Sequence, residues 1–185
     1  MKTAILAIIL VTYSVDSLSQ GVFSNGTNSA LEQVLQDYPN RFRNIKGAVL
    51  VENTRATNYE SSVKIPGSVS CFITQSTANA QALSWTAEVY SSNDFSEASR
   101  RYNELFNQIK NTIVKVRGAK PYILNGQLSR PDQGKPYHSS ILSLLPAAGE
   151  LQKVKVEISL LQRGTTWKLQ LSIYDDHEEQ IVKNQ

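Results

Sequence analysis

An α+β fold, with an antiparallel and mostly meandering sheet and two helices packed on one face, follows from three features of this sequence. Segments with an apolar residue at every second position recur along the chain, as in Leu83, Trp85, Ala87 and Val89 and again in Trp167, Leu169, Leu171 and Ile173. That is the period of a strand with one buried face. Most of these segments are joined by turns too short for parallel crossovers. Between them lies one strongly one-sided stretch. Phe95, Ala98, Tyr102, Leu105, Phe106 and Ile109 keep the three-and-four spacing of a helix, and such a helix must cover the apolar face of a sheet. The opposite face, with its Ser, Thr, Lys and Glu, is expected to be wet.

The first residues precede any fold argument. Lys2 supplies a positive charge, residues 3–13 are almost wholly apolar, and Ser17-Leu18-Ser19 places small residues where a signal peptidase reads. Residues 1–19 are therefore expected to be a signal peptide cleaved before Gln20. An apolar run of about 11 residues falls well short of the roughly 20 that span a bilayer, and no later stretch is long and apolar enough to do so. The leader carries one Lys and one Asp, so removing it leaves the formal charge at +3. Spread along the chain, that charge does not imply a polyanion partner. Cys71 is the only cysteine, so no intramolecular disulfide forms. A chain of this size exported without bridges points to a bacterial periplasmic or extracellular setting.

Residues 20–29 are rich in Gly, Ser and Asn and are expected to form a flexible N-terminal arm. In this setting the Asn25-Gly26-Thr27 acceptor pattern reads as polar linker. A single α+β domain is expected over residues 30–175, followed by a charged C-terminal tail over 176–185. Leu31, Val34, Leu35 and Tyr38 recur at helical spacing behind Asn28 or Ser29 as N-cap. Pro39 ends or interrupts that helix, and residues 41–45 offer a short resumption.

Residues 47–52 form the first strand and 53–58 a polar loop. Tyr59, Ser61, Val63 and Ile65 then alternate up to Pro66-Gly67, which suits a type II turn, and Val69, Cys71 and Ile73 alternate beyond it. Asp94, with Glu97 three residues on, opens the central helix as a capping box does. Glu97 and Arg101 stand at i,i+4 and Lys110 at the negative end of the helix dipole. Residues 113–117 read as a strand. In 121–130, Asn125-Gly126 marks a bulge or bend, because a hairpin there would leave arms of about three residues. Strands are expected over 137–145 and from Val154 to Leu160, with a turn at Arg163-Gly164 before Trp167. Phe42 to Lys46 and Phe106 to Lys110 each lead from a helix into a strand run. Two readings of the halves stay open: a duplicated helix-plus-four-strand unit, or none.

Candidate chemistry is sparse. His138 lies in a strand beside Ser139 and Ser140, but adjacent strand residues point to opposite faces, so a structural role is expected. Cys71, flanked on its own face by Val69 and Ile73, reads as a small buried hydrophobe. Asp175-Asp176-His177-Glu178-Glu179 lacks the glycine and the alternating ligands of a calcium loop and reads as solvated tail. Glu52, Glu60, Glu88 and Glu157 lie in or beside separate strands, and a glycosidase pair needs carboxyls within about 10 Å. Short basic groups such as Arg41-Arg43-Lys46 and Lys115-Arg117-Lys120 are offset by acids or polar residues and read as solvated surface, with no nucleic-acid partner. Trp85 and Trp167 are expected in the core. No catalytic, cofactor-binding or metal residue is assigned, and no cofactor is expected.

Asp37-Tyr38-Pro39 before Phe42, Ile45-Lys46-Gly47, the Lys64-Ile65-Pro66-Gly67 turn, Ser84-Trp85, and Asp94-Phe95 ahead of a Phe106-bearing helix have a family look. Over nearly all of residues 20–185 the chain resembles a family of uncharacterised small exported bacterial proteins of the Bacteroidota type. Each of these motifs is a turn, a cap or a core element. The resemblance therefore implies export and fold, and carries over no site residue.

The function expected is that of an exported, non-enzymatic binding or interaction protein, whose partner is another protein or a small apolar ligand. Two alternatives stand beside it: a hydrolase built on carboxylates and His138, and a subunit that assembles through a sheet edge. An apolar cavity of roughly 300 Å³ or more between the two helices would favour a ligand carrier. A solid core there would favour an interaction protein.

Overall fold

The structure, a computed structural model, describes residues 25–175. The expected leader, residues 20–24 of the arm and the tail over 176–185 lie outside the described residues. Helix α1 is Asn25–Asp37 and helix α2 is Phe95–Ile109. The strands are β1 (Lys46–Glu52), β2 (Ala56–Ser61), β3 (Ser70–Ser76), β4 (Leu83–Ser92), β5 (Ile113–Val114), β6 (Tyr122–Gly126), β7 (Tyr137–Leu145), β8 (Val154–Arg163) and β9 (Thr166–Asp175). They form one nine-stranded sheet in the order β1-β2-β3-β4-β9-β8-β7-β6-β5, antiparallel at every junction. Each half is one helix followed by a meander, four strands and then five, and the last strands of the two halves meet at the centre.

The inner face of the sheet follows the alternation. Trp85, Ala87, Leu169, Leu171, Ile173, Val156 and Ile158 are buried there. They lie under Ala98, Tyr102, Leu105, Phe106 and Ile109 of α2. The Asp94 carboxylate caps α2 by accepting from the Ser96 and Glu97 amides at 2.8 and 3.4 Å. Along its exposed side Arg100 meets Glu97 at 3.7 Å and Glu104 at 2.5 Å, while Arg101 reaches Glu104. Both tryptophans are in the core as expected, and the Trp85 indole donates to Ser61 Oγ at 2.9 Å. Ala30, Leu31, Val34 and Leu35 of α1 join the same core. This helix is tied to the segment after β5, where the Lys115 amide donates to Glu32 and Gln36 donates to the Lys115 carbonyl, each at 3.0 Å.

Several boundaries differ from the sequence reading. Residues 25–29 are helical, not arm, so neither Asn28 nor Ser29 is the N-cap. Thr27 lies three and four residues before Ala30 and Leu31, on the stripe that faces the core, and is buried. Packing of that stripe outweighs the weak helix propensity of Gly26, Asn28 and Ser29. The helix does not resume after Pro39. Arg41 and Phe42 both take left-handed backbone angles, φ 59° and 56°. The Asp37 carboxylate holds this corner, accepting from the Asn44 amide at 3.0 Å, the Asn44 side chain at 2.5 Å and the Asn40 side chain at 3.1 Å.

Strand β2 starts at Ala56, inside the expected loop, because Asn53 Oδ1 accepts from the Arg55 and Ala56 amides at 2.8 and 2.9 Å and closes a tight turn. It ends at Ser61, so Val63 and Ile65 are buried from a loop. The strand expected over 113–117 stops at Val114. Asn125-Gly126 forms neither bulge nor bend and lies within β6. A Cβ at Gly126 would run into the Ile141 carbonyl oxygen of β7, so the glycine serves close strand approach.

The largest departure is the outer face, which is not wet at its centre. Thr74, Ser84, Thr86, Glu88, Glu157, Ser159 and Ser172 are all buried there. Paired registers place Glu60, Phe72, Thr86, Ser172, Glu157 and Ile141 in one row across the sheet. Short hydroxyl side chains in the middle of that row and its neighbours sit below bulkier ones, so side-chain size closes the face that polarity was expected to open.

Candidate functional site

The outer face carries an open trough of about 930 Å³. One end is the turn between β1 and β2, fixed to the end of β3 by the Thr77 hydroxyl donating to the Thr54 carbonyl at 2.7 Å and the Thr77 amide donating to the Arg55 carbonyl at 3.0 Å. The other end is the end of β8, where Gly164 (φ 61°) makes the turn into β9. Asn58, Phe72, Glu88, Lys168 and Gln170 form the floor, with Leu161 beside them.

Several polar groups of this face are tied to one another in pairs. The Lys168 ammonium donates to the Glu88 carboxylate at 2.9 Å, the Thr74 hydroxyl to Asn58 Oδ1 at 2.9 Å, and the Thr86 and Ser172 hydroxyls meet at 3.0 Å. Beyond them, fully buried Glu157 accepts from the Tyr174 hydroxyl at 2.6 Å and from the Tyr137 hydroxyl. Burial, with the Glu157 carboxylate beside it, pushes the Tyr137 phenol well above its ordinary value. Arg55 and Arg163 stand at opposite ends of the trough, and among the described residues nothing holds either guanidinium. The trough therefore offers planar cationic forks above a floor that combines one aromatic ring with amides.

Residues singled out from sequence are dispersed. His138 is buried in β7, with Nε2 at 2.7 and 3.0 Å from the carbonyl oxygens of Asp132 and Lys135 and its ring against Trp167. It closes the 131–136 loop. The Cys71 thiol is buried against Ser68 Oγ at 3.3 Å. Glu60 pairs with Lys64 at 3.0 Å. Glu88 and Glu157 share the outer face, but two strand spacings and a two-residue step set their Cα atoms roughly 12 Å apart, and Glu157 has no exposure. Of the cluster beginning at Asp175, only that residue is described, and it accepts from the Tyr38 hydroxyl at 3.0 Å.

A second cleft, of about 710 Å³, lies on the helix side. Gln33, Asp37, Asn40, Asn44, Arg117 and Glu150 are among its lining, and α2 contributes none of it. It is not the apolar cavity between helices that would mark a carrier. Sequence reasoning missed Phe72, Arg55 and Arg163. Phe72 had a signal, an aromatic ring at the outward position between Cys71 and Ile73. The arginines had none, because only the sheet order brings the two turns to one trough.

Fold and site together define an α+β protein with a polar, partly aromatic trough on its outer sheet face. No family model, curated protein or solved structure matches the chain. Among the described residues no helix is long and apolar enough to cross a membrane.

Proposed function

We propose that the chain is an exported, non-enzymatic interaction protein that holds a short acidic segment of a partner protein in the outer trough. The observation that carries this reading is the pair of unengaged guanidiniums, Arg55 and Arg163, at the two ends of the trough with Phe72 and Leu161 between them. Arginine forks take carboxylates in two parallel hydrogen bonds, while the Phe72 ring and Leu161 receive an apolar side chain between them. The charge that matters is local, which is why a net +3 gave no hint of it. An apolar small ligand fits less well, since the helix-side cleft does not open between the two helices: α2 contributes none of its lining. The hydrolase reading loses its general base, because the His138 ring is engaged by its own loop. Export rests on residues 1–19, and membership of the Bacteroidota-type family on the motifs quoted above. Secretion with a mature mass starting at Gln20 is the expected result.

Titration calorimetry of the full chain with the heptapeptide EEELEEE tests the binding. The account expects a dissociation constant of about 10–500 μM at physiological salt, and little binding of QQQLQQQ. Arg55→Gln with Arg163→Gln should weaken it at least about tenfold, while Arg100→Gln on the outer side of α2 should leave it unchanged. Undetectable binding, or binding indifferent to the Arg55 and Arg163 changes, removes the reading.

A further inference from the structure

The two edges of the sheet are built differently. Strand β5 is two residues long, a short edge of the kind that resists pairing. Strand β1 is seven residues long, and its apolar centre is open, with Val49, Leu50 and Val51 each more than half exposed (54, 53 and 54%). An apolar edge of that length is a template for another strand.

The register of β1 says which strand fits. Lys46 pairs with Ser61, Val49 with Tyr59 and Glu52 with Thr57. These partners follow at every second position of β2, so Lys46, Val49 and Glu52 face the same side of the sheet. The Lys46 ammonium lies on that side, 4.4 Å from the centre of the Tyr59 ring. Between Lys46 and Val49, and again between Val49 and Glu52, β1 uses three residues against two of β2, one bulge in each half. The bulges are disposed evenly about Val49, and the charges at the two ends are opposite. A regular strand laid along this edge would slip by one residue in each half. A second β1 running antiparallel has the same surplus in each half and keeps register.

We propose that a second copy of this chain docks along β1, antiparallel, with the twofold axis at Val49. Lys46 then stands opposite Glu52 of the partner subunit, and Val49 opposite Val49 of the partner subunit. Leu50 meets Ala48 of the partner subunit and Val51 meets Gly47 of the partner subunit, large against small. The nine-stranded sheet continues into its copy, and the edge disappears from solvent. This inference uses no residue on the trough floor and stands apart from the peptide reading.

Sedimentation velocity of the full chain, with cysteine cross-linking, tests it. A dimer should dominate at about 100 μM, and Val49→Cys should give a disulfide-linked dimer under mild oxidation, since directly opposed strand residues have Cβ atoms about 5 Å apart. Ile113→Cys at the other edge should not cross-link. Lys46→Glu should raise the dimer dissociation constant at least about tenfold, and adding Glu52→Lys should restore it to within about threefold, because each reversal is met by its complement. Should Lys46→Glu disturb the fold, the Val49→Cys result still decides. A monomer at about 200 μM, charge reversals that do not compensate, or cross-linking through Leu50→Cys in place of Val49→Cys each overturn the proposal.

Discussion

The two faces of the sheet are equally dry at their centres and reach that state by different means. Under α2, Trp85, Leu171 and Ile158 are buried because a helix lies on them. On the outer face Thr86, Ser172 and Glu157 are buried with their side chains bonded to neighbours on the same face, Thr86 to Ser172 and Glu157 to Tyr174 and Tyr137. The first is burial by a second layer, with hydrophobic transfer as its driving force. The second is burial within one layer, stable only while its hydrogen bonds close. A substitution that merely removes volume should therefore hurt the inner face, and one that removes a partner should hurt the outer face.

Trp85→Ala carries the largest expected effect. It empties the biggest fully buried site and leaves Ser61 Oγ without its donor, at a cost of about 3–5 kcal/mol in denaturant unfolding. A loss below about 1 kcal/mol would mean that α2 does not cover that face. Next comes Glu157→Ala, which removes the acceptor that the Tyr137 and Tyr174 hydroxyls share and should cost about 2–4 kcal/mol. Glu157→Gln, which keeps an acceptor, should cost clearly less. Equal losses from both substitutions would show that volume, not bonding, holds the outer face.

The same residues separate what the sequence declares from what only the folded chain reveals. Inner-face positions declare themselves through alternation, because one buried face imposes period two on Leu83, Trp85 and Ala87. The capped start of α2 at Asp94 was legible for an equally local reason, as an Asp whose carboxylate meets amides two and three residues on. Glu157 and Ser172 look like any solvated strand residue until their cross-strand partners are known, and those partners are set by the register of β8 on β9. Thr27 was misjudged because propensity spoke for a loop while packing chose the helix. The trough was illegible for a topological reason: Arg55 and Arg163 lie more than a hundred residues apart and come to line one trough only through the sheet order.

Smaller effects sharpen the contrast further. The Tyr102 phenol, buried under α2 and bonded to Ser140 Oγ at 2.6 Å, is pushed up to about 12 by burial. The folded state thus keeps this proton after the unfolded chain has released it. The associated stability is complete below pH 10 and is lost as the pH rises from 10 towards 12. Tyr102→Phe should flatten that alkaline decline in urea titrations at pH 9 to 11, and an unchanged slope would assign the decline elsewhere. The smallest effect has the opposite sign. Ser84 Oγ is buried on the outer face without a hydrogen-bond partner among the described residues, so Ser84→Ala should be neutral or stabilising by up to about 1 kcal/mol.

The most direct test of the outer face as a binding surface is an amide chemical-shift map of the chain titrated with EEELEEE. Shifts should gather on Arg55, Asn58, Phe72, Arg163 and Gln170, and spare Gln36, Asn44 and Arg117 around the helix-side cleft. Perturbations gathered on the helix side, or scattered over every cationic patch, would contradict the account.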